Sequence, residues 1–311
     1  MAKNSNLRTA AAAKQDEFYT MLTDIEKEMS HYKDFFKGKV VYCNCDDARE
    51  SNFFKYFSKN FEFLGLKKLI TTGYKAEGKG VVLIYEGDKN GNRKVDDAEV
   101  FVKELNGSGD FRSEECIEFL KEADVVVTNP PFSLFRQYIA QLIEYDKKFI
   151  AIGNSNALTY KEIFTLIKAN KVWLGVNHVK EFVKPNGEIQ KFGNICWFTN
   201  IANKNRNTPL DLYKRYSNEY PKYDNYDAIE VSKVSDIPMD YDGIMGVPIT
   251  FLEKYCPVQF EILGLAADKR DENEIFIKGK QTYLDERHKK FVGMVLDGKA
   301  TYARVMIKKL S

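Results

Sequence analysis

Apolar positions in the first two hundred residues switch repeatedly between a strand pattern and a helical one. Val40, Val41 and Tyr42 form a short apolar run that breaks at Cys43-Asn44-Cys45-Asp46-Asp47. Ser51 then precedes Phe53, Phe54, Phe57 and Phe61 at helical spacing. A short apolar run ended by polar breakers reads as a buried strand, and a serine oxygen before an apolar stripe reads as a helix N-cap. The segment therefore predicts strand, polar loop, helix, preceded by a short amphipathic helix over Asp24 to Lys33. Lys67 to Thr72 predicts a second strand. Gly80 to Tyr85 and Val100 to Leu105 predict the arms of an antiparallel hairpin around Asp88-Lys89-Asn90-Gly91-Asn92.

Further along, Ser113 stands before Glu114 and Glu115, an N-cap with acids in the first turn of a helix that ends near Glu122. Asp124 to Thr128 is nearly all apolar, as in the centre of a parallel sheet, and runs into Asn129-Pro130-Pro131-Phe132. Ser133 is expected to cap the next helix, striped by Leu134, Phe135, Tyr138, Ile139, Leu142 and Ile143. A strand over Phe149 to Ile152, a helix over Tyr160 to Ala169 and a strand over Val172 to Gly175 complete the alternation. Strands alternating with helices predict an α/β fold with a doubly wound, mostly parallel sheet. After Asn200 no period dominates, and tyrosines 213, 216, 220, 223, 226 and 241 sit among lysines and prolines. The expected division is residues 1–200, with 1–16 as a mobile arm, and a smaller mixed module over 201–311 with strands at Ile229 to Val231, Phe260 to Leu265 and Tyr302 to Ile307.

Composition narrows the class. The 311 residues carry 47 Lys and Arg against 45 Asp and Glu, a net charge of +2, which excludes a basic tail protein and an acidic disordered chain. Hydrophobic content of 44% implies a folded interior, and no apolar run reaches the roughly 20 residues needed to span a bilayer. Five cysteines at irregular spacing and an N-terminus without an apolar signal core indicate the reducing cytoplasm. Asp88, Asn90, Asn92, Asp96 and Glu99 follow calcium-loop spacing. Arg93 replaces the usual glycine, however, and strands flank the segment, so a hairpin turn is the reading taken. Cys43 and Cys45 lack a second pair and His31, His178 and His288 are scattered, so no metal site is expected.

The chemistry concentrates at Asn129-Pro130-Pro131-Phe132, at the carboxyl end of a buried strand, where open α/β sheets bind ligands. An exocyclic amino group is a poor nucleophile because its lone pair is delocalised. The Asn129 side-chain oxygen and the Pro130 carbonyl are acceptors that draw both N–H bonds toward tetrahedral geometry, and Phe132 offers a stacking face. Transfer to such an amine needs no strong base, so His178 is not required.

Five segments in this order, Lys14 to Thr20, Val40 to Asp47, Gly107 to Ser113, Asn129 to Phe132 and Gly193 to Thr199, resemble the EcoRI-type adenine-specific DNA methyltransferases. The resemblance implies a Rossmann-like methyltransferase sheet, S-adenosylmethionine as cofactor, and methyl transfer to the N6 amino group of an adenine flipped out of duplex DNA, within restriction-modification or phage and host DNA modification. It implies that Asn129, Pro130 and Phe132 are catalytic. Phe18, Tyr19, Thr20, Asn44 and Asp46 would hold the cofactor's amino acid end, and Asp110 and Phe111 its adenine. Either Trp197 or Phe198 would face the target base. The strand-one loop lacks the family's glycines, and no acid follows Leu69 to Gly73 to hold the ribose. The implied state is a monomer on double-stranded DNA, away from membranes. The module after residue 200, with Lys214, Arg215, Lys222, Arg287, His288, Lys289 and Lys290, is expected to read the sequence. Asn-Pro-Pro-aromatic also occurs in methyltransferases of RNA bases and of protein glutamine, and an inactive nucleic-acid-binding relative is a further reading.

Overall fold

In the computed structural model, residues 19–44, 48, 50–184, 187–268, 275–282, 284 and 291–310 are described. Phe18, Asp46, Asp47, the arm over 1–16 and the basic run over 287–290 lie outside them. The chain divides into two compact units, residues 1–157 with 174–203, and residues 158–173 with 204–311. The break falls close to residue 200, but 158–173 groups with the second unit, which a linear cut at that residue does not capture.

The first unit opens with β1 (Tyr19–Thr20) and α1 (Leu22–Met29), shorter than the Asp24 to Lys33 helix expected. Lys33–Phe36 forms a separate 3-10 turn, because Met29, Tyr32 and Phe36 must all reach one core. β2 (Val40–Cys43) leads to α2 (Asn52–Lys59), capped by the Ser51 hydroxyl as the sequence predicts, and then to α3 (Phe61–Leu64), which ends at Gly65 with φ +62°. β3 (Lys68–Gly73), β4 (Val81–Tyr85) and β5 (Val100–Glu104) follow, the last two as the expected antiparallel pair. The loop between them closes on its own carboxylates: Asp88 accepts from Gly91 N and Arg93 N, and Glu99 from Lys89 N and Asn90 N.

Then come α4 (Glu114–Glu122), β6 (Val125–Thr128), α5 (Phe135–Glu144) and β7 (Lys148–Asn154). Ser113 caps α4 as expected, by accepting from Cys116 N. Ser133 does not cap α5: residues Phe132–Leu134 form a 3-10 turn, and α5 starts at Phe135 without a side-chain cap. After α6 (Lys161–Lys168), the strand expected at Val172 to Gly175 is the start of β8 (Trp173–Val183), and β9 (Ile189–Thr199) completes the sheet.

The nine strands lie in the order β1-β8-β9-β7-β6-β2-β3-β4-β5. β3, β2, β6 and β7 are mutually parallel neighbours at the centre, with β4 and β9 antiparallel on either side. Alternation divides the faces. Val41, Val127, Ile152 and Trp197 pack with Ile25 and Met29 of α1 and Phe53 and Phe57 of α2. Tyr42 and Phe198 meet Phe119 of α4 and Phe135 of α5 on the other face, so the sheet is helix-covered on both sides. The chain moves from β2 to β3 on one side and resumes with β6 on the other. The gap between the β2 and β6 carboxyl ends is therefore the topological switch point, where such sheets bind ligands.

The second unit holds a four-stranded sheet of β10 (Ile229–Glu230), β11 (Ile244–Val247), β12 (Phe260–Ala266) and β15 (Arg304–Lys309), with a small pair β13 (Val295–Leu296) and β14 (Lys299–Ala300). Its last strand starts at Arg304 instead of Tyr302, which is 87% exposed. β11 was not expected. Its Met245 and Val247 pair with Ile307 and Val305, a tertiary requirement that no local period announces. α6 belongs with this unit: Lys168 donates to the Leu263 carbonyl, and Arg206 lies 3.6 Å from the Trp173 ring centre.

Candidate active site

The ladder between β6 and β7 ends at Thr128 opposite Ala151, because Pro130 and Pro131 have no N–H to continue it. Leu134 N donates to the Pro131 carbonyl at 2.9 Å, which turns the chain into α5. Asn129 is half-buried with its carboxamide oxygen shielded from solvent, Pro130 is buried, and Phe132 is half-buried. Phe132 meets the edge of Phe182 at 6.3 Å, and Phe182 meets Phe192 at 5.5 Å, a chain of three rings beside the motif.

Across the switch point, Asn44 is fixed by two hydroxyls. Thr128 donates to its backbone carbonyl and Tyr138 to its side-chain oxygen. The side-chain oxygen of Asn44, a residue expected at the cofactor's amino acid end, is thus engaged with α5, and the residue holds the β2 loop against β6. On the other side of that loop, Thr71 stands in register with Cys43, and its buried hydroxyl has no partner among the described residues. The Thr20 hydroxyl is likewise buried without a partner among them, while the Thr20 carbonyl accepts from Asn52 Nδ2 at 2.7 Å. Tyr19 pairs with Val183 at the sheet edge. Two unsatisfied buried hydroxyls bordering one loop are costly unless a ligand completes them. They fit a polar ligand with several hydrogen-bonding groups.

Residues 6–310 match the family described as "Adenine-specific methyltransferase EcoRI". The chain belongs to this family. It is 48% identical to the Type II methyltransferase M.EcoRI of Escherichia coli, over 91% of this chain and 95% of that protein. It is 39% identical to the Type II methyltransferase M.MgeORF184P of Mycoplasma genitalium, covering 96% and 97%. Identity to the Type II methyltransferase M.MpnI of Mycoplasma pneumoniae is 38%, covering 96% of each chain. The protein is an adenine-specific methyltransferase of the EcoRI type.

In this EcoRI-type chain both aromatics considered for the target base lie in the core. Trp197 and Phe198 are both fully buried, Trp197 against Phe53 and Phe198 against Phe135, because β9 sits inside the sheet between β7 and β8 and both its faces are covered. The half-buried aromatic of β9 is Phe192, nearer its start. No local signal marks Phe192, which stands between exposed Lys191 and Gly193, ahead of the continuous apolar run Ile195 to Phe198.

Asp110 and Phe111 lie together after Gly109, whose φ of +82° lets the backbone pass close to Gly73. Arg112 engages both residues. Its guanidinium donates to the two Asp110 carboxylate oxygens at 2.8 and 2.5 Å and lies 5.3 Å from the Phe111 ring centre. Those hydrogen bonds hold the Asp110 carboxyl below its usual 3.8, partly offset by burial. Phe111 is buried, edge-on to Tyr138 at 5.0 Å. In the second unit, Lys214, Arg215 and Lys222 are exposed, and Tyr216 stacks on Tyr220 and Tyr241.

Proposed function

We propose that this enzyme transfers a methyl group from S-adenosylmethionine to the N6 amino group of an adenine flipped out of double-stranded DNA, as the modification activity of a Type II system. The observation that carries this reading is Asn129-Pro130-Pro131-Phe132 at the switch point, tied through Thr128 to the β2 loop. The Asn129 carboxamide oxygen and the Pro130 carbonyl accept the two N6 hydrogens, orienting the nitrogen lone pair for attack. Phe132 and Phe192 stack on the base and offset the few kcal/mol of unstacking that flipping costs. Once alkylated, the nitrogen is acidic and sheds its proton without a dedicated base.

S-adenosylmethionine supplies the electrophilic methyl group when bound. The Thr20 and Thr71 hydroxyls, with Asp110 as acceptor for the adenine amino group and Phe111 beside it, would hold the cofactor, while Asn44 keeps its loop in place. By the family resemblance Tyr19, with Phe18 and Asp46 outside the described residues, would serve the amino acid end. The second unit carries target recognition through its exposed Lys214, Arg215 and Lys222 and its tyrosine stack, and its affinity for DNA falls as salt rises. The test is transfer of a labelled methyl group to duplex DNA, single-stranded DNA and RNA, with nucleoside analysis. N6-methyladenine in the duplex is expected, whereas label confined to RNA or protein would sink the assignment.

A further inference from the structure

Asn154 closes β7 and is 7% exposed. Its Oδ1 accepts two hydrogen bonds, from Asn156 N at 2.9 Å and from Asn194 Nδ2 at 2.9 Å. The backbone N–H of Asn156 fixes the amide orientation, since a flipped amide would set its NH2 against that donor, and the Asn194 amide orients to match. The Nδ2 is then held in one direction, buried, with no acceptor among the described residues. A buried donor without an acceptor forfeits the hydrogen bonds that water gave it, which native folds rarely tolerate away from a ligand.

Its position identifies the ligand. β7 runs three residues past its last rung with β6, from Ala151 to Asn154, at the end of the sheet where the chain leaves β6 through Asn129 to Phe132. Strand alternation puts Asn154 on the face of Ile150 and Ile152, whose core also packs Phe132, Phe182 and Phe192. Gly153 faces the other way, pressed against Phe135 so closely that an added Cβ would come within 2.6 Å of the ring. The catalytic turn is thereby clamped to this end of β7. Asn129 and Pro130 present acceptors for the target's amino hydrogens, whereas the ring nitrogens N1 and N7 on either side of that amino group are acceptors that need a donor.

We propose that Asn154 Nδ2 donates to the N1 or N7 ring nitrogen of the target adenine, making Asn154 a target-reading residue. This assignment rests on the methyltransferase reading above. With the ring held by one donor and the amino group by two acceptors, only a base that presents both patterns side by side satisfies the site. Guanine places a carbonyl oxygen against the Asn129 oxygen and is rejected.

The test crosses protein variants with base analogues. Methylation rates are measured for the wild type, Asn154→Asp and Asn154→Ala on duplexes whose target is adenine, 1-deazaadenine, 7-deazaadenine or 3-deazaadenine. The Asp variant keeps the oxygen that Asn156 and Asn194 need and loses the donor. The wild type should lose about 10- to 100-fold in kcat/KM on either the 1-deaza or the 7-deaza target and little on the 3-deaza control. Both variants should lose a comparable factor on adenine and little further on that same analogue. This ratio does not depend on how much of a variant is folded. Variant and analogue losses that multiply on every target would overturn the assignment. So would a wild-type rate for Asn154→Asp, or a matching loss of cofactor affinity in calorimetry. A wild type unable to methylate unmodified adenine overturns the methyltransferase reading and this assignment together, whereas an active wild type without the coupling overturns the assignment alone.

Discussion

The Thr128 hydroxyl donates to the backbone carbonyl of Asn44, joining the last residue of β6 to the first residue of the loop after β2. Both residues are buried, and the next residue along the chain from Thr128 is Asn129. One hydrogen bond thus couples the proposed cofactor loop to the proposed catalytic turn. Thr128→Val keeps the shape and removes the donor. The buried Asn44 carbonyl then goes unsatisfied, and stability should fall by about 1–3 kcal/mol. Cofactor affinity should weaken as well. Denaturant unfolding and calorimetry measure the two effects, and unchanged cofactor affinity would mean the link is structural only.

Asn129→Ala removes the acceptor proposed for one N6 hydrogen and touches neither the Thr20 nor the Thr71 hydroxyl. Turnover should fall by roughly 10²- to 10³-fold, comparable to the loss of an oriented hydrogen-bonding group at other reaction centres, with cofactor affinity retained. Single-turnover methylation with a binding titration checks this, and near-normal turnover would remove Asn129 from the mechanism.

Phe192 and Trp197 sit on one strand and should respond in opposite ways. Trp197 is fully buried against Phe53, so Trp197→Ala should cost about 3–5 kcal/mol of stability through cavity formation. Phe192 is half-buried, and Phe192→Ala should lower kcat/KM for DNA by about tenfold or more with a smaller change in melting temperature. The reverse pattern in paired melting and kinetic measurements would return the base-facing role to Trp197.

The Arg112 hydrogen bonds lower the Asp110 carboxyl below its usual 3.8 in the folded protein. A depressed folded value means the stabilisation is complete above about pH 4 and is lost as pH falls through the folded value. Arg112→Gln should flatten that acid limb of the melting-temperature profile while leaving the neutral limb unaffected by Asp110 titration. An identical acid limb in the variant would show that the pair contributes nothing in solution.

In the second unit Arg304 makes a two-pronged pair with Glu230, which is 4% exposed and also accepts from the Tyr223 hydroxyl. Arg304→Met should cost about 3–5 kcal/mol, because it strands a buried carboxylate. Replacing Glu230 and Arg304 together by apolar residues should recover much of that loss in thermal unfolding.

The sequence by itself determined the alternation of strands and helices through β7, the caps at Ser51 and Ser113, the hairpin of β4 and β5 and the place of Asn129 to Phe132, because each depends on neighbours a few residues away. Net charge near zero requires basic residues to be segregated locally if DNA is the partner. Only the tertiary structure decided that α6 joins the second unit, that β11 is a strand, and that Ser133 caps nothing. It alone buried both Trp197 and Phe198, by placing β9 between two other strands, and left Phe192 half-buried near its start. It likewise engaged Asn44 with Tyr138 and left the Thr20, Thr71 and Asn154 polar groups without partners among the described residues. Burial and hydrogen-bond satisfaction depend on segments far apart in the chain, such as Asn44 and Tyr138, and no local period encodes which of them will meet.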